Sequence, residues 1–242
     1  MKTKYILPAA LCLPFLFSSC LDSDDNTSVY QPTAIVTVCP DADESFVMQL
    51  DPTTKLVPVN LKKSPFCAKE VRALVNYTEE ESAGYGYDIR NVHVNWIDSI
   101  RTKEPEILLP DQNADDFGSD PVEIVKDWVT VAEDGYLTLR IRTVWGYTGT
   151  KHRISLITGT DPDNPFDLEL RHDADGDTSG NLGDALIAFN LNKLPRTTDG
   201  TEKITLRWKS FEGDKTTTFD IQMRSNPAAG STAGLVKAAR ID

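Results

Sequence analysis

The chain is 242 residues long and carries 25 Lys and Arg against 37 Asp and Glu, a formal charge of −12 at pH 7. So acidic a balance is repelled by phosphate backbones, which attract basic patches, and this excludes nucleic acid as a partner. With 40% hydrophobic residues, the chain can bury the core of one large domain or of two small ones.

Lys2 and Lys4 precede an apolar run from Tyr5 to Phe17, followed by Ser18-Ser19-Cys20. A basic start, a short apolar segment and small residues at a cleavage point form the layout of a secretory signal peptide. The run is too short to span a bilayer as a permanent helix. Phe17-Ser18-Ser19-Cys20 resembles the lipobox of bacterial lipoproteins, which implies cleavage between Ser19 and Cys20 and acylation of Cys20 on its sulfur and freed amine. At about 0.8 kcal/mol per buried CH₂, several acyl chains on one residue anchor stably where a single chain is marginal. Leu21-Asp22-Ser23-Asp24-Asp25-Asn26 resembles the acidic export signal that carries some lipoproteins of anaerobic Gram-negative bacteria to the outer face of the outer membrane. A solvated tether has the same composition. The expectation is therefore a signal peptide at 1–19, an acidic tether at 20–31 and an outer-membrane protein whose first partner is the membrane itself, through Cys20, with surface display favoured over the periplasmic face. Loss of Lys2 and Lys4 leaves 23 basic against 37 acidic side chains in the mature part, a balance of −14.

From Thr33 onward the pattern is short and extended: Ala34 to Val38, Ser45 to Leu50, Lys55 to Val59, Lys69 to Tyr77 and Asn91 to Trp96, separated by turn residues such as Pro40-Asp41 and Asp51-Pro52. β-branched runs between turn formers predict strands. In the last of them Val92, Val94 and Trp96 share one face, so Trp96 is expected in the core. About five strands over some eighty residues suit a small Greek-key barrel of the OB type, placed at 32–110. Cys39 and Cys67 fall in this half. In an exported protein they form either a disulfide, which closing such a loop makes worth about 3 kcal/mol, or two independent thiols, and spacing does not decide between them. Neither has the clustered His or Cys neighbours of a zinc site.

Periodicity disappears between Arg101 and Asp120, a stretch containing Pro105, Pro110, Gly118 and several acids, and a linker is placed at 111–120. Beyond it Trp128 to Ala132 and Tyr136 to Arg142 read as strands joined by Asp134-Gly135, a hairpin signal because tight turns demand positive φ. Leu137, Leu139 and Ile141 point to a core, and Thr138, Arg140 and Arg142 to water. With His152 to Thr158, Phe166 to Arg171, Leu186 to Phe189, Ile204 to Lys209 and Thr218 to Arg224, about seven strands in roughly a hundred residues suit an immunoglobulin-like β-sandwich at 121–225. Trp208 is expected in its core. A loose Ala-, Gly- and Ser-rich tail follows at 226–242. The fold class is thus all-β in two domains.

Val59-Asn60-Leu61-Lys62-Lys63-Ser64-Pro65, Val92 to Ile100, Asp120 to Val125, Asp127-Trp128-Val129-Thr130, Asp134 to Leu139 and Glu169 to Ala174 resemble the NigD-like lipoproteins of anaerobic Gram-negative bacteria. The resemblance runs from the lipobox to about Arg224. It implies an N-terminal OB-like domain followed by a β-sandwich, and a role in immunity to a bacteriocin. It brings no catalytic or ligand residues that could be carried over to this chain.

No nucleophile elbow, His-Glu-x-x-His or phosphate-binding Gly loop occurs, so no enzyme is expected. His93 lies on a polar strand face, whereas His152 and His172 share parity with apolar residues, the usual setting of a structural histidine. Asp173, Asp175 and Asp177 alternate along a turn and could converge oxygen ligands on calcium. As an EF-hand, however, the loop would place Thr178 where glycine is required and Asp184 where glutamate belongs. The simpler reading is an acidic loop shaped by Asx turns. Trp145 and Tyr147, beside Gly146, are candidates for exposed binding aromatics. These features together predict a non-enzymatic binding or immunity-type lipoprotein, without a cofactor unless calcium binds, that meets a protein or glycan at the cell surface. The alternative is an assembly subunit of an outer-membrane complex.

Overall fold

The computed structural model describes residues 31–80, 88–146, 149–195 and 200–224. The signal peptide, Ser19, Cys20, Tyr147 and the tail lie outside the described residues. Among the described residues there are fifteen strands: β1 (Ala34–Pro40), β2 (Phe46–Gln49), β3 (Lys55–Pro58), β4 (Val71–Glu79), β5 (Ile89–Ser99), β6 (Arg101–Lys103), β7 (Glu106–Ile107), β8 (Glu123–Val125), β9 (Val131–Glu133), β10 (Tyr136–Trp145), β11 (Arg153–Thr158), β12 (Asp167–Asp173), β13 (Asn181–Asn190), β14 (Thr201–Ser210) and β15 (Gly213–Gln222).

Strands β1-β2-β3-β5-β4 close into a barrel. Its core is filled by alternate residues such as Val36, Val38, Met48, Leu56, Ala73, Val75, Val92 and Val94, as a strand's two-residue side-chain period requires. Trp96 departs from the expected alternation. Asn76 pairs with Trp96 but Tyr77 pairs with Val94, so Asn95 is an extra residue in β5. A bulge reverses side-chain parity beyond it. Ile97 therefore packs against the barrel core, and Trp96 is left half-buried.

The second domain stacks a β6-β13-β10-β8 sheet, in which β9 also pairs with β10, on a β15-β14-β12-β11-β7 sheet. Both sheets are mixed: β12 runs parallel to β14, β6 to β13 and β7 to β11. Leu137, Leu139, Ile141, Leu156, Leu168, Leu170, Phe189, Ile204, Leu206 and Trp208 fill the space between them. The Asp134-Gly135 turn has φ of 54° and 70°, the two successive positive values of a type I′ hairpin, and Glu133 pairs with Tyr136 across it.

The boundary between domains differs from the expected linker at 111–120. β6 and β7, which fall within the range assigned to the barrel, hydrogen-bond to β13 and β11 of the sandwich. Only Ile100 separates β5 of the barrel from β6 of the sandwich. It is 4% exposed and packs with Ile35, Val129 and Ala188 in a small core between the two units. Two edge strands of three and two residues, rich in Lys, Arg and Glu, carry too little alternation to be seen as strands, and charged short edges are the usual defence of a sheet margin.

A polar network surrounds this apolar joint. Arg72 of β4 donates to Thr37 Oγ1 at 2.9 Å and to Glu133 Oε1 at 2.5 Å. Thr37 Oγ1 in turn donates to Asp134 Oδ2 at 2.6 Å. Arg224, just past β15, donates to both carboxylate oxygens of Asp134 and to both of Glu70. Arg72 and Arg224 both lie over the Tyr136 ring, at 5.7 and 5.5 Å from its centroid, within cation–π reach. Burial, reinforced by the Glu70 carboxylate that accepts its hydroxyl proton, pushes the Tyr136 phenol upward in pKa.

Candidate binding face

β8 and β9 are two pieces of one strand. Along β10, Arg140 pairs with Val125 and Thr138 with Val131, so Leu139 alone stands opposite residues 126–130. A bulge this large redirects side chains. Thr130 closes its base: Oγ1 donates to the Val125 carbonyl at 2.5 Å and accepts the Arg140 N–H at 3.1 Å, replacing the missing ladder bonds. Asp127 shapes its tip, accepting the Val129 N–H at Oδ1 in an Asx turn and Arg140 Nη1 at Oδ2, 2.6 Å away. Val129 is buried in the interdomain core. Trp128 is thereby held outward, 55% exposed.

The side chains beside it come from the outer face of the β6-β13-β10-β8 sheet. That face was expected to be wet throughout, but the barrel covers one end, where Tyr136, Thr138 and Ala188 are buried. The open end carries Arg140, Arg142 and Asp184. Asp184 accepts from Arg140 Nε at 2.8 Å and from Arg142 Nε at 2.6 Å. These hydrogen bonds, Arg142's first, hold its carboxyl well below the usual range, at about 2. Pro32, Asp127, Trp128, Arg140, Asp184 and Leu186 line a shallow pocket of about 320 Å³.

The residues singled out in the sequence fall elsewhere. Trp145 lies over Gly183, where an added Cβ would come within 2.4 Å of its Cδ1, so only glycine admits the ring. Its Nε1 donates to the Gly183 carbonyl at 3.2 Å, and its ring stacks on His152 with centroids 4.0 Å apart. It is packed rather than presented. Its partner in that expectation, Tyr147, lies outside the described residues. Asp173, Asp175 and Asp177 diverge: Asp173 pairs with Arg153 and accepts the Asp175 N–H in an Asx turn, Asp175 is exposed, and Asp177 points inward to His152 and the Gly146 N–H. Three carboxylates with separate partners do not form a calcium cage, and among the described residues no group of three or more His, Cys, Asp or Glu could hold a metal. Cys39 and Cys67 are both free thiols, a correction to the disulfide alternative. Cys39 donates to the Thr37 carbonyl and lies 3.8 Å from Arg224 Nη2 in the domain joint, whereas Cys67 is exposed on a turn outside the strands. Burial pushes the Cys39 thiol up to about 11.

Sequence parity places His152 and His172 against apolar residues without revealing that they meet. His172 Nδ1 lies 3.0 Å from the Pro121 carbonyl, His172 Nε2 lies 2.9 Å from His152 Nδ1, and His152 Nε2 lies 3.3 Å from Asp177 Oδ2. A carbonyl only accepts, so His172 carries its proton on Nδ1 and accepts from His152 at Nε2, a tautomer assigned from the partners. Burial lowers the pKa of His172. The His152 and Asp177 side chains are 1% and 4% exposed. This chain of rings ties the loop before β8 and the loop after β12 to the sandwich and presents no open reactive group.

A closed OB-type barrel joined through a buried joint to a β-sandwich, with an aromatic held out on a bulge, defines a two-domain all-β protein. The chain belongs to the NigD-like family: residues 35–100 match the NigD-like N-terminal OB domain and residues 104–221 the NigD-like C-terminal β-sandwich domain. Among solved structures it is similar to a toxin-related protein of Parabacteroides distasonis, with 31% identity over 78% of this chain and 92% of that one and a TM-score of 0.64. A protein of unknown function from Bacteroides vulgatus shares 24% identity over 77% of this chain and 88% of its own, with a TM-score of 0.59. A NigD-like immunity protein of Bacteroides caccae shares 21% over 77% and 90%, with a TM-score of 0.50. The last two likenesses speak to the fold alone. No curated protein matches the chain. Among the described residues no helix is long and apolar enough to cross a membrane.

Proposed function

We propose that this protein is a non-enzymatic binding lipoprotein of the immunity type, held to the outer membrane through acylated Cys20, which engages its partner with the Trp128 face. The observation that carries this reading is the exposed indole on a bulge fixed by Thr130 and Asp127. Tryptophan is the residue most often found at the energetic centre of interfaces, and a pre-ordered one loses little entropy on binding. The lipobox and family membership support the anchor and the immunity role. In a strain lacking the gene, the wild-type chain should incorporate labelled fatty acid and restore survival beside toxin-producing siblings. Cys20→Ala should lose both, and Trp128→Ala should lose protection while keeping the label. Turnover of a peptide or glycan by the purified chain at enzymatic rates would end the reading.

One feature favours assembly as a second role. β15 is a ten-residue strand at a sheet edge, and edges of that length can pair with another chain. Native mass spectrometry of detergent-extracted protein decides this, since a strictly solitary monomer contradicts it.

A further inference from the structure

Resting on the Trp128 binding face, we infer that its occupant is a neutral saccharide, with one pyranose ring stacked on the indole and its hydroxyls against the Asp127–Arg140–Asp184–Arg142 quartet. The quartet contains two cations and two anions joined in a chain: Arg140 bridges Asp127 and Asp184 at 2.6 Å to each, and Arg142 closes on Asp184. An anionic ligand would meet two carboxylates and no uncompensated cation, and a cationic ligand the reverse. A hydroxyl both donates and accepts, so it can lie against an Arg–carboxylate pair and satisfy both members without disturbing either. The arginine side chains are 37% and 41% exposed and those of Asp127 and Asp184 24% and 23%, so donors and acceptors reach the surface together.

The indole supplies the other half of the recognition. A pyranose has a polar equator of hydroxyls and apolar C–H faces, and a rigid amphipathic ring is the side chain that covers such a face at low entropic cost. A pocket of about 320 Å³ is at the small end of ligand sites, suited to one unit of a chain that continues into solvent. A bilayer surface fits less well, because seating Trp128 in lipid would desolvate the four charges beside it.

The test uses the unacylated chain from residue 21, which lacks only the leader and Cys20, electrophoresed through native gels containing dextran, mannan, laminarin or, as an anionic control, alginate. Retardation is expected in at least one neutral gel, with saturable change in tryptophan emission. Trp128→Ala should restore the mobility seen without polymer, Asp184→Asn should weaken retardation at least several-fold, and Val59→Ala, on the barrel, should change nothing. No retardation in any neutral gel, retardation by alginate alone, or equal retardation of Trp128→Ala overturns the inference. If Trp128→Ala still loses protection in cells while no neutral gel retards the wild type, the binding face stands and its occupant is not a sugar.

Discussion

Arg72 Nη2 of the barrel meets Glu133 Oε1 of the sandwich at 2.5 Å, and the arginine making this contact is wholly buried. It stands on the outside of its barrel, between the core residues Val71 and Ala73, so only the second domain can cover it. Its guanidinium is held by Glu133 and Thr138 of the sandwich and by Thr37 of the barrel, which makes the two domains a single unit rather than two beads on a linker.

Removing one partner of a buried pair strands the other. Arg72→Ala should cost about 3–5 kcal/mol, whereas the double change Arg72→Met with Glu133→Leu should recover most of it, because apolar groups of similar volume replace such pairs at little cost. Urea unfolding followed by tryptophan emission measures both. Unchanged stability in Arg72→Ala would contradict the coupling of the domains.

The bulge separates a side chain that holds the fold, Thr130, from one that does not, Trp128. Trp128→Ala should change stability by no more than about 0.5 kcal/mol, as an exposed side chain away from special features does. Thr130→Val keeps the shape but leaves the Arg140 N–H and Val125 carbonyl without their partner and should cost about 1–3 kcal/mol. Comparing urea midpoints of the two variants checks the division.

Acid should weaken the sandwich through His172. Its folded pKa lies below its unfolded value near 6.5 because the ring is buried, so the unfolded chain takes up the proton first. Its contribution is full above about 6.5 and is lost as pH falls through the folded value. Asp120, Asp173, Asp177 and His152 face the same region, so His172→Gln, not a change among these, isolates the effect. The variant's stability should vary less between pH 8 and 5 than the wild type's. Asp184 follows the same sign lower down, its contribution present above about 3.8 and lost as pH falls towards about 2.

Thiol labelling reads the joint directly. In the chain from residue 21, without reductant, Cys67 should react with a thiol reagent at pH 8 at once. Cys39, buried and with its pKa pushed to about 11, should react only on unfolding. Finding no reactive thiol in the unfolded, unreduced chain would restore the disulfide.

The strand alternation, the Asp134-Gly135 turn and the barrel-then-sandwich order are legible in the sequence because they are local: a period of two residues and a turn's φ values belong to neighbours in the chain. Residues 126–130 mark the limit of such reading. Trp128-Val129-Thr130 looks like a strand, being β-branched and aromatic, and only the pairing of β10 with both Val125 and Val131 turns it outward. The polar interruption Lys126-Asp127 is the one local signal, and Asp before Trp is also compatible with a strand end. Trp145, expected at the surface, is packed for the same reason, since Gly183 lies 38 residues from the ring it receives.

Turn residues and alternation of side chains by themselves determined the class of fold and the order of the domains, each a property of chain segments considered alone. Tertiary structure alone decided where the domains join, which tryptophan faces water, that two histidines and an aspartate meet, and that two cysteines do not. Those outcomes depend on contacts between residues tens of positions apart, where the free energy lies in burial and in paired charges rather than in the preferences of any one segment.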